Sequence, residues 1–416
     1  MTDNKIDYKI RDQNNFLDKI KFDEFLFVFG VVLMLLSQLI MYIGAPYLRE
    51  NGSNVVEQLG ITSKKNVIIL YIGYVCLLLC AFFNLKNFAK FCKKKYLIGI
   101  SLFIVCLISV LHYIIVFFKS GFINSIYEST SPIIYLLIIV ICIAFNKKIY
   151  NIFLKMNNWI TLFSLIMAIY FWNDCRTKFP NAVIGNSGYM KFYIQAFFSG
   201  LLTCYTIKSK KISYAIILSL IMLSFLNSAR SYIIQSFLFL IIFNVIKSKR
   251  KVFSLILSIV LIVIIFVLSI NIMKSYFPKS YDHFISKLFT DTRSSQYEML
   301  FKQIEIKDLI FGRGFYFTYF WAGKYYAYID NVYIFSLIRY GVVFLIPFMT
   351  IILYALFSNI SSKIESKLCL VLLIFQWLLA YAGLAVYVTI ELDYKMVVLY
   401  MVVGNLLTME KKHEQI

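Results

Sequence analysis

Apolar residues run through this chain in long blocks, separated by short polar connections, and the rhythm is broken at length only once. The blocks fall at 25–42, 67–83, 96–118, 131–145, 159–172, 193–207, 212–226, 232–246, 252–273, 332–357, 368–390 and 396–407. A run of roughly 17–25 apolar residues matches the ~30 Å hydrocarbon core of a bilayer. A segment crossing that core must satisfy its backbone hydrogen bonds internally, so each block predicts a transmembrane helix. The pattern therefore predicts an all-α polytopic membrane protein, one integral membrane domain over 1–416 with about twelve spans.

The interruption is a polar, aromatic-rich loop over 274–331. Within it, 281–289 (YDHFISKLF) and 296–304 (QYEMLFKQI) place apolar residues at helical spacing. They predict short amphipathic helices lying on the membrane surface. The glycines of 309–314 (LIFGRG) permit a tight turn. Phe315, Tyr316, Phe317, Tyr319, Phe320, Trp321, Tyr325, Tyr326 and Tyr328 then predict a re-entrant or interfacial aromatic turn.

Charge sets the expected orientation. Lys and Arg concentrate in the connections at 86–95, 147–155, 208–211 and 247–251, which share one side if the helices alternate. Positive charge favours the cytoplasm, so the head (1–24) and tail (408–416) are expected inside and the long loop outside. The first span follows a charged head without a cleavage-site pattern and reads as a retained anchor.

Composition sharpens this picture. At 61% hydrophobic, 15% charged and mean hydropathy +0.77, a soluble fold of 416 residues is excluded. Basic loops lying against anionic lipid headgroups account for the net +21, leaving no call for nucleic acid. Six of the eight cysteines lie in or beside spans, Cys92 faces the cytoplasm, and Cys175 stands alone outside, so no disulfide framework is expected. Three scattered histidines (His112, His283, His413) do not make a metal site, and no cofactor is called for.

Candidate chemistry lies where charge meets the apolar blocks. An ionisable side chain at membrane depth costs at least a few kcal/mol, which marks it as a functional candidate. Arg230 sits in the tight connection Asn227-Ser228-Ala229-Arg230-Ser231; it either snorkels from a helix end or faces a bound anion. Arg339 falls about two turns, ~12 Å, below Asn331. It is either half of an ion pair with Glu391 or Asp393, or part of a ligand site. Asp291-Thr292-Arg293 reads as a helix start where Arg293 and free amides suit an anion. Asp330-Asn331 stands where the loop re-enters the membrane, as a cap or as site residues.

Guanidinium forks match phosphate and diphosphate oxygens. The faces of Trp321, Tyr325 and Tyr326 match the C–H patches of sugar rings, with Asn331 as a further candidate substrate contact. A polyisoprenyl-diphosphate-linked glycan carries both groups. Preorganised cations would stabilise its departing diphosphate without metal or nucleotide, and a carboxylate would act as base toward the acceptor hydroxyl.

The order of these elements resembles a known family. The Ser228-Ala229-Arg230-Ser231 connection, an early loop arginine (Arg293), LIFGRG over 309–314, and Asp330-Asn331 leading through Arg339-Tyr340-Gly341 resemble the O-antigen and capsule repeat-unit polymerases (Wzy type), relatives of the O-antigen ligases. The resemblance covers the topology and, in detail, roughly residues 226–347. It implies a GT-C-like fold and a glycosyltransferase joining undecaprenyl-diphosphate-linked repeat units on the outer face of the bacterial cytoplasmic membrane. By the same resemblance Arg230 and Arg293 contact the donor diphosphate, with Arg313 and Arg339 as further candidates, and Asp330, Glu391 and Asp393 are candidate bases. Ligases carry His-Asn where this chain has Asp330-Asn331, a departure that favours a polymerase. The implied partners are the lipid-linked donor and acceptor, membrane lipids and a chain-length regulator protein. An O-antigen ligase-type transferase and a polysaccharide flippase are the alternatives; a flippase would spread charge through many spans.

Overall fold

A computed structural model of the chain describes residues 21–43, 64–127, 132–178, 187–207, 209–226, 230–288, 293–327, 329, 331–360, 365–380, 382 and 393–409. The connection 227–229, most of the head and the tail from 410 lie outside them.

Helices occupy the apolar blocks. In chain order they are α1 (Phe22–Ile43), α2 (Lys64–Cys92), α3 (Tyr96–Tyr127), a 3₁₀ helix (Pro132–Phe145), α4 (Lys147–Lys178), α5 (Ser187–Thr206), α6 (Lys210–Leu226), α7 (Arg230–Lys247) and α8 (Lys251–Tyr276). The long loop contributes α9 (Pro278–Leu288), α10 (Arg293–Phe301) and α11 (Ile306–Phe311). Then come α12 (Val332–Tyr340), α13 (Val342–Phe357), α14 (Glu365–Leu379) and α15 (Tyr394–Met409). Among the described residues, six helices are long and apolar enough to cross a membrane: α1, α2, α3, α4, α7 and α8. The 3₁₀ helix, α13, α14 and α15 are apolar but shorter. The chain is thus a helical multi-pass membrane protein. α8, exposed over most of its apolar length, needs lipid around it.

The 3₁₀ geometry lengthens a short apolar block. At ~2.0 Å per residue, its 14 residues extend ~28 Å, against ~21 Å for an α-helix of that length. It lies in the centre of the bundle beside α15, whose residues from Tyr394 to Leu407 are all buried. The two approach so closely at Gly404 that a Cβ there would stand 2.4 Å from the Ile141 carbonyl oxygen and 2.7 Å from Ala144 Cβ.

With lipid as solvent, polar contacts hold helices together. Asn157 on α4 donates to the Ser199 carbonyl and to Thr203 Oγ1 on α5, both at 2.9 Å. Thr161 meets Thr203 at 2.8 Å, and Gln195 donates to Ser164 at 2.8 Å. The Tyr394 hydroxyl donates to Asn157 at 3.1 Å and ties α15 into the same seam.

Two expectations are corrected. The block at 332–357 is two helices, broken at Gly341, because a segment of the long loop packs against the break. The aromatic stretch, expected as a re-entrant or interfacial turn, holds a short antiparallel hairpin of β1 (Tyr319–Trp321) and β2 (Lys324–Tyr326) in an otherwise helical protein. Both turn residues take positive φ (Ala322 49°, Gly323 80°), the geometry whose twist matches that of paired strands. The expected amphipathic segments at 281–289 and 296–304 correspond to α9 and α10.

The core makes one prediction. Gly404→Leu should lose folded protein, since overpacking costs about 1–3 kcal/mol or more where backbone is the obstacle. Size-exclusion of detergent-extracted protein would show it; a wild-type peak and melting point would contradict the packing.

Candidate functional site

The descending part of the long loop is a small packed unit seated on α12. Leu300, Phe317, Tyr319, Ile329, Phe335 and Ile338 form its buried core. The Gln303 carboxamide pairs with both the N–H and the carbonyl of Phe320, each at 2.9 Å, like a third strand on the hairpin edge. Gln296 donates to the Tyr319 hydroxyl. At the start of α11, Asp308 accepts the Glu305 N–H (3.0 Å) and the Arg313 guanidinium (2.8 Å).

The motif at 309–314 has a mechanical task. Because α12 stops at Gly341, its last carbonyls lack helical donors. The Arg313 and Gly314 amides supply them, donating to Ile338 (2.7 Å) and Arg339 (3.0 Å). This crossing admits no side chain. Gly312 (φ 78°) and Gly341 (φ 77°) are left-handed, and a Cβ on them would lie 2.3 Å from the Arg339 oxygen and 2.1 Å from the Ile310 oxygen.

The clasp sorts the candidate arginines. Arg339 is 5% exposed, with its guanidinium 4.2 Å from the Phe335 ring centre and 4.9 Å from that of Phe315, and it donates to the Ala327 carbonyl at 3.2 Å. Arg313 pairs with Asp308 and lies over Phe317 at 5.4 Å. Both therefore bolt the loop unit together. Arg230 is the first residue of α7 and is half-buried. Arg293 opens α10; its side chain lies outside the described residues, as do Asp330 and Glu391.

Asn331 is the N-cap of α12, accepting the Tyr333 (2.9 Å) and Ile334 (3.1 Å) amides while donating to the Ala382 carbonyl at 3.3 Å. Asp393 opens α15 and pairs with Lys395 at 2.8 Å, their side chains 7% and 1% exposed. On the hairpin, Trp321 stands edge-on to Tyr326 at 5.1 Å, whereas Tyr325 is 74% exposed and offers its ring to solvent.

Contacts bring the ends of three helices together. Tyr333 on α12 donates to the Leu378 carbonyl of α14 at 2.8 Å, and Gln376 on α14 donates to the Gln235 carbonyl of α7 at 3.3 Å. The starts of α7 and α12 thus flank the end of α14, with Arg230 and Asn331 at one end of the bundle beside the loop unit.

Surface charge on the loop is locally paired. Hydrogen bonding to Lys302 lowers the pKa of Glu298, and Glu305 raises that of Lys307. Exposed pairs of this kind contribute little stability. Among the described residues no group of three or more His, Cys, Asp or Glu could hold a metal ion.

Sequence reasoning missed Lys395, along with Asp308 and the break at Gly341. The legible signals were Asp393-Tyr394-Lys395 opening an apolar run and a glycine inside one. No protein-family model matches the chain, and no curated protein matches it.

If the clasp orders the loop, Gly341→Val should speed tryptic cleavage within 293–327 by about tenfold through local opening, with the helices still inserted. Wild-type cleavage in that variant would contradict the clasp.

Proposed function

We propose that the protein is a membrane glycosyltransferase that joins undecaprenyl-diphosphate-linked repeat units into O-antigen or capsular polysaccharide. In this reading it has about twelve spans in a GT-C-like arrangement, sits in the bacterial cytoplasmic membrane with both termini inside, and acts on the outer face. The observation that carries the reading is the clasp. Two of the four sequence features that carry the family resemblance, 309–314 and the stretch running on from Asn331 through Gly341, are separate in sequence yet interlock, at the end of the bundle where Arg230 begins α7.

The roles divide accordingly. Arg230 and Arg293, each at a helix start whose dipole adds positive potential, take the donor diphosphate. Arg313 and Arg339 hold the loop unit in place. Tyr325 and Trp321 offer ring faces to sugar. In the reaction, the acceptor hydroxyl oxygen attacks the anomeric carbon as its bond to the diphosphate oxygen breaks. The diphosphate leaves with the electron pair, and a carboxylate takes the hydroxyl proton. Asp393, engaged by Lys395 and the Met396 amide (3.3 Å), fits an anchor better than a base, which leaves Asp330 and Glu391. The implied partners are lipid-linked donor and acceptor, membrane lipids and a chain-length regulator.

A strain lacking the gene tests this directly, by sizing its surface glycans and extracting its polyprenyl-linked intermediates. Persisting single repeat units without long chains are expected. Long chains stranded on the lipid carrier would instead indicate a ligase, and an unchanged profile would refute the reading.

Single substitutions test the arginine roles. Arg230→Ala and Arg293→Ala should abolish product while inserting normally, and Arg→Lys should rescue only partly, because a point charge loses the two-pronged contact. Normal product from either Ala variant would refute the diphosphate role.

A further inference from the structure

Two glutamines meet in the bundle interior, away from the loop unit. Gln235 on α7 and Gln376 on α14 are each 1% exposed, and the Gln376 amide reaches the Gln235 main-chain oxygen at 3.3 Å. Both polar atoms of the Gln235 side chain and Gln376 Oε1 have no hydrogen-bond partner among the described residues. A buried amide left unpaired costs about 1–3 kcal/mol, so several such atoms in an apolar bundle point to a partner that the described residues do not supply.

The surroundings indicate its chemistry. Tyr193 packs edge-on against Tyr232 at 5.2 Å, with its hydroxyl beside Ser224 and Ser236, and Trp377 stacks on Phe198 at 3.9 Å. Gln235 lies five residues, about 7.5 Å of helix, from Arg230. Gln376 is two residues from Leu378, whose carbonyl receives the Tyr333 hydroxyl. A carboxamide sets a donor beside an acceptor, the pattern of two neighbouring hydroxyls, and aromatic faces suit the C–H side of a sugar ring.

We propose that Gln235 and Gln376 line a carbohydrate subsite inside the bundle, reached from the loop end, which takes a sugar of the lipid-linked glycan. The ligand's identity rests on the glycosyltransferase reading above.

Thiol labelling tests the subsite without reading catalysis. Ser236→Cys in the full-length protein in membranes would be treated with a membrane-impermeant methanethiosulfonate. Wild type reports the background of native cysteines, and Ile234→Cys, on the exposed apolar side of α7, is the control. Labelling about tenfold faster at 236 than at 234 is expected, because the reactive thiolate needs water. The polyprenyl-linked fraction extracted from the gene-deleted strain should slow it several-fold. Labelling no faster than the control overturns the subsite. Fast labelling that this fraction does not slow also overturns it, leaving a water-filled crevice. Failure of the polymerase reading shows separately, as an unchanged glycan profile in the deletion strain.

A second variant guards against a merely structural role. Gln235→Leu should keep or raise the melting temperature, since it removes unpartnered polar atoms, yet lose glycan product. Retained product, or a fall in melting temperature, overturns the proposal.

Discussion

The crossing of two backbones at Gly312 and Gly341 is the constraint on which the upper part of this protein depends. A helix that stops inside an apolar block leaves carbonyls without donors, and each unpaired one costs about 1–3 kcal/mol once buried. Here the loop amides of Arg313 and Gly314 meet that need, so the end of α12 and the fold of the loop become one event. Everything above follows from the anchorage: the Asp308–Arg313 pair, the enclosure of Arg339 between two rings, and the hairpin packed on Leu300 and Ile338.

The membrane part rests on a different balance. Lipid gives helices no hydrophobic reason to associate, so close approach and hydrogen bonds decide the packing. Gly404 against the 3₁₀ helix supplies the first, and the seam from Ser164 and Gln195 to Asn157 and Tyr394 supplies the second. The bundle thereby carries buried polar groups through its centre. Most find partners within the protein, which is what makes the Gln235 carboxamide and Gln376 Oε1, without partners among the described residues, informative.

Legibility in the sequence tracked the range of the interaction. Apolar blocks were readable because the bilayer imposes length and composition locally, as in α8 and α2. The helices α9 and α10 were readable from the spacing of their apolar residues, though only α9 is strongly two-sided. What escaped depends on distant partners. The break after Tyr340 needs the loop amides of 313–314, and the 3₁₀ geometry of 132–145 belongs to the tight centre of the bundle. The Asp393–Lys395 pair escaped because its burial depends on the helices packed around the start of α15. Of the candidate site, the sequence motifs marked stretches that pack together at Gly312 and Gly341, but not what their arginines touch. Arg313 and Arg339 look like ligand arginines in sequence and prove to be engaged with Asp308, Ala327 and aromatic rings.

The most direct test of the clasp is hydrogen exchange at the Arg313 and Gly314 amides of the full-length protein in lipid nanodiscs. Donated to the carbonyls of Ile338 and Arg339, these amides should exchange roughly a hundredfold or more below the rate of an unstructured peptide. Exchange at the unstructured rate would mean that the loop does not close on α12, and the division of roles built on that closure would fall with it.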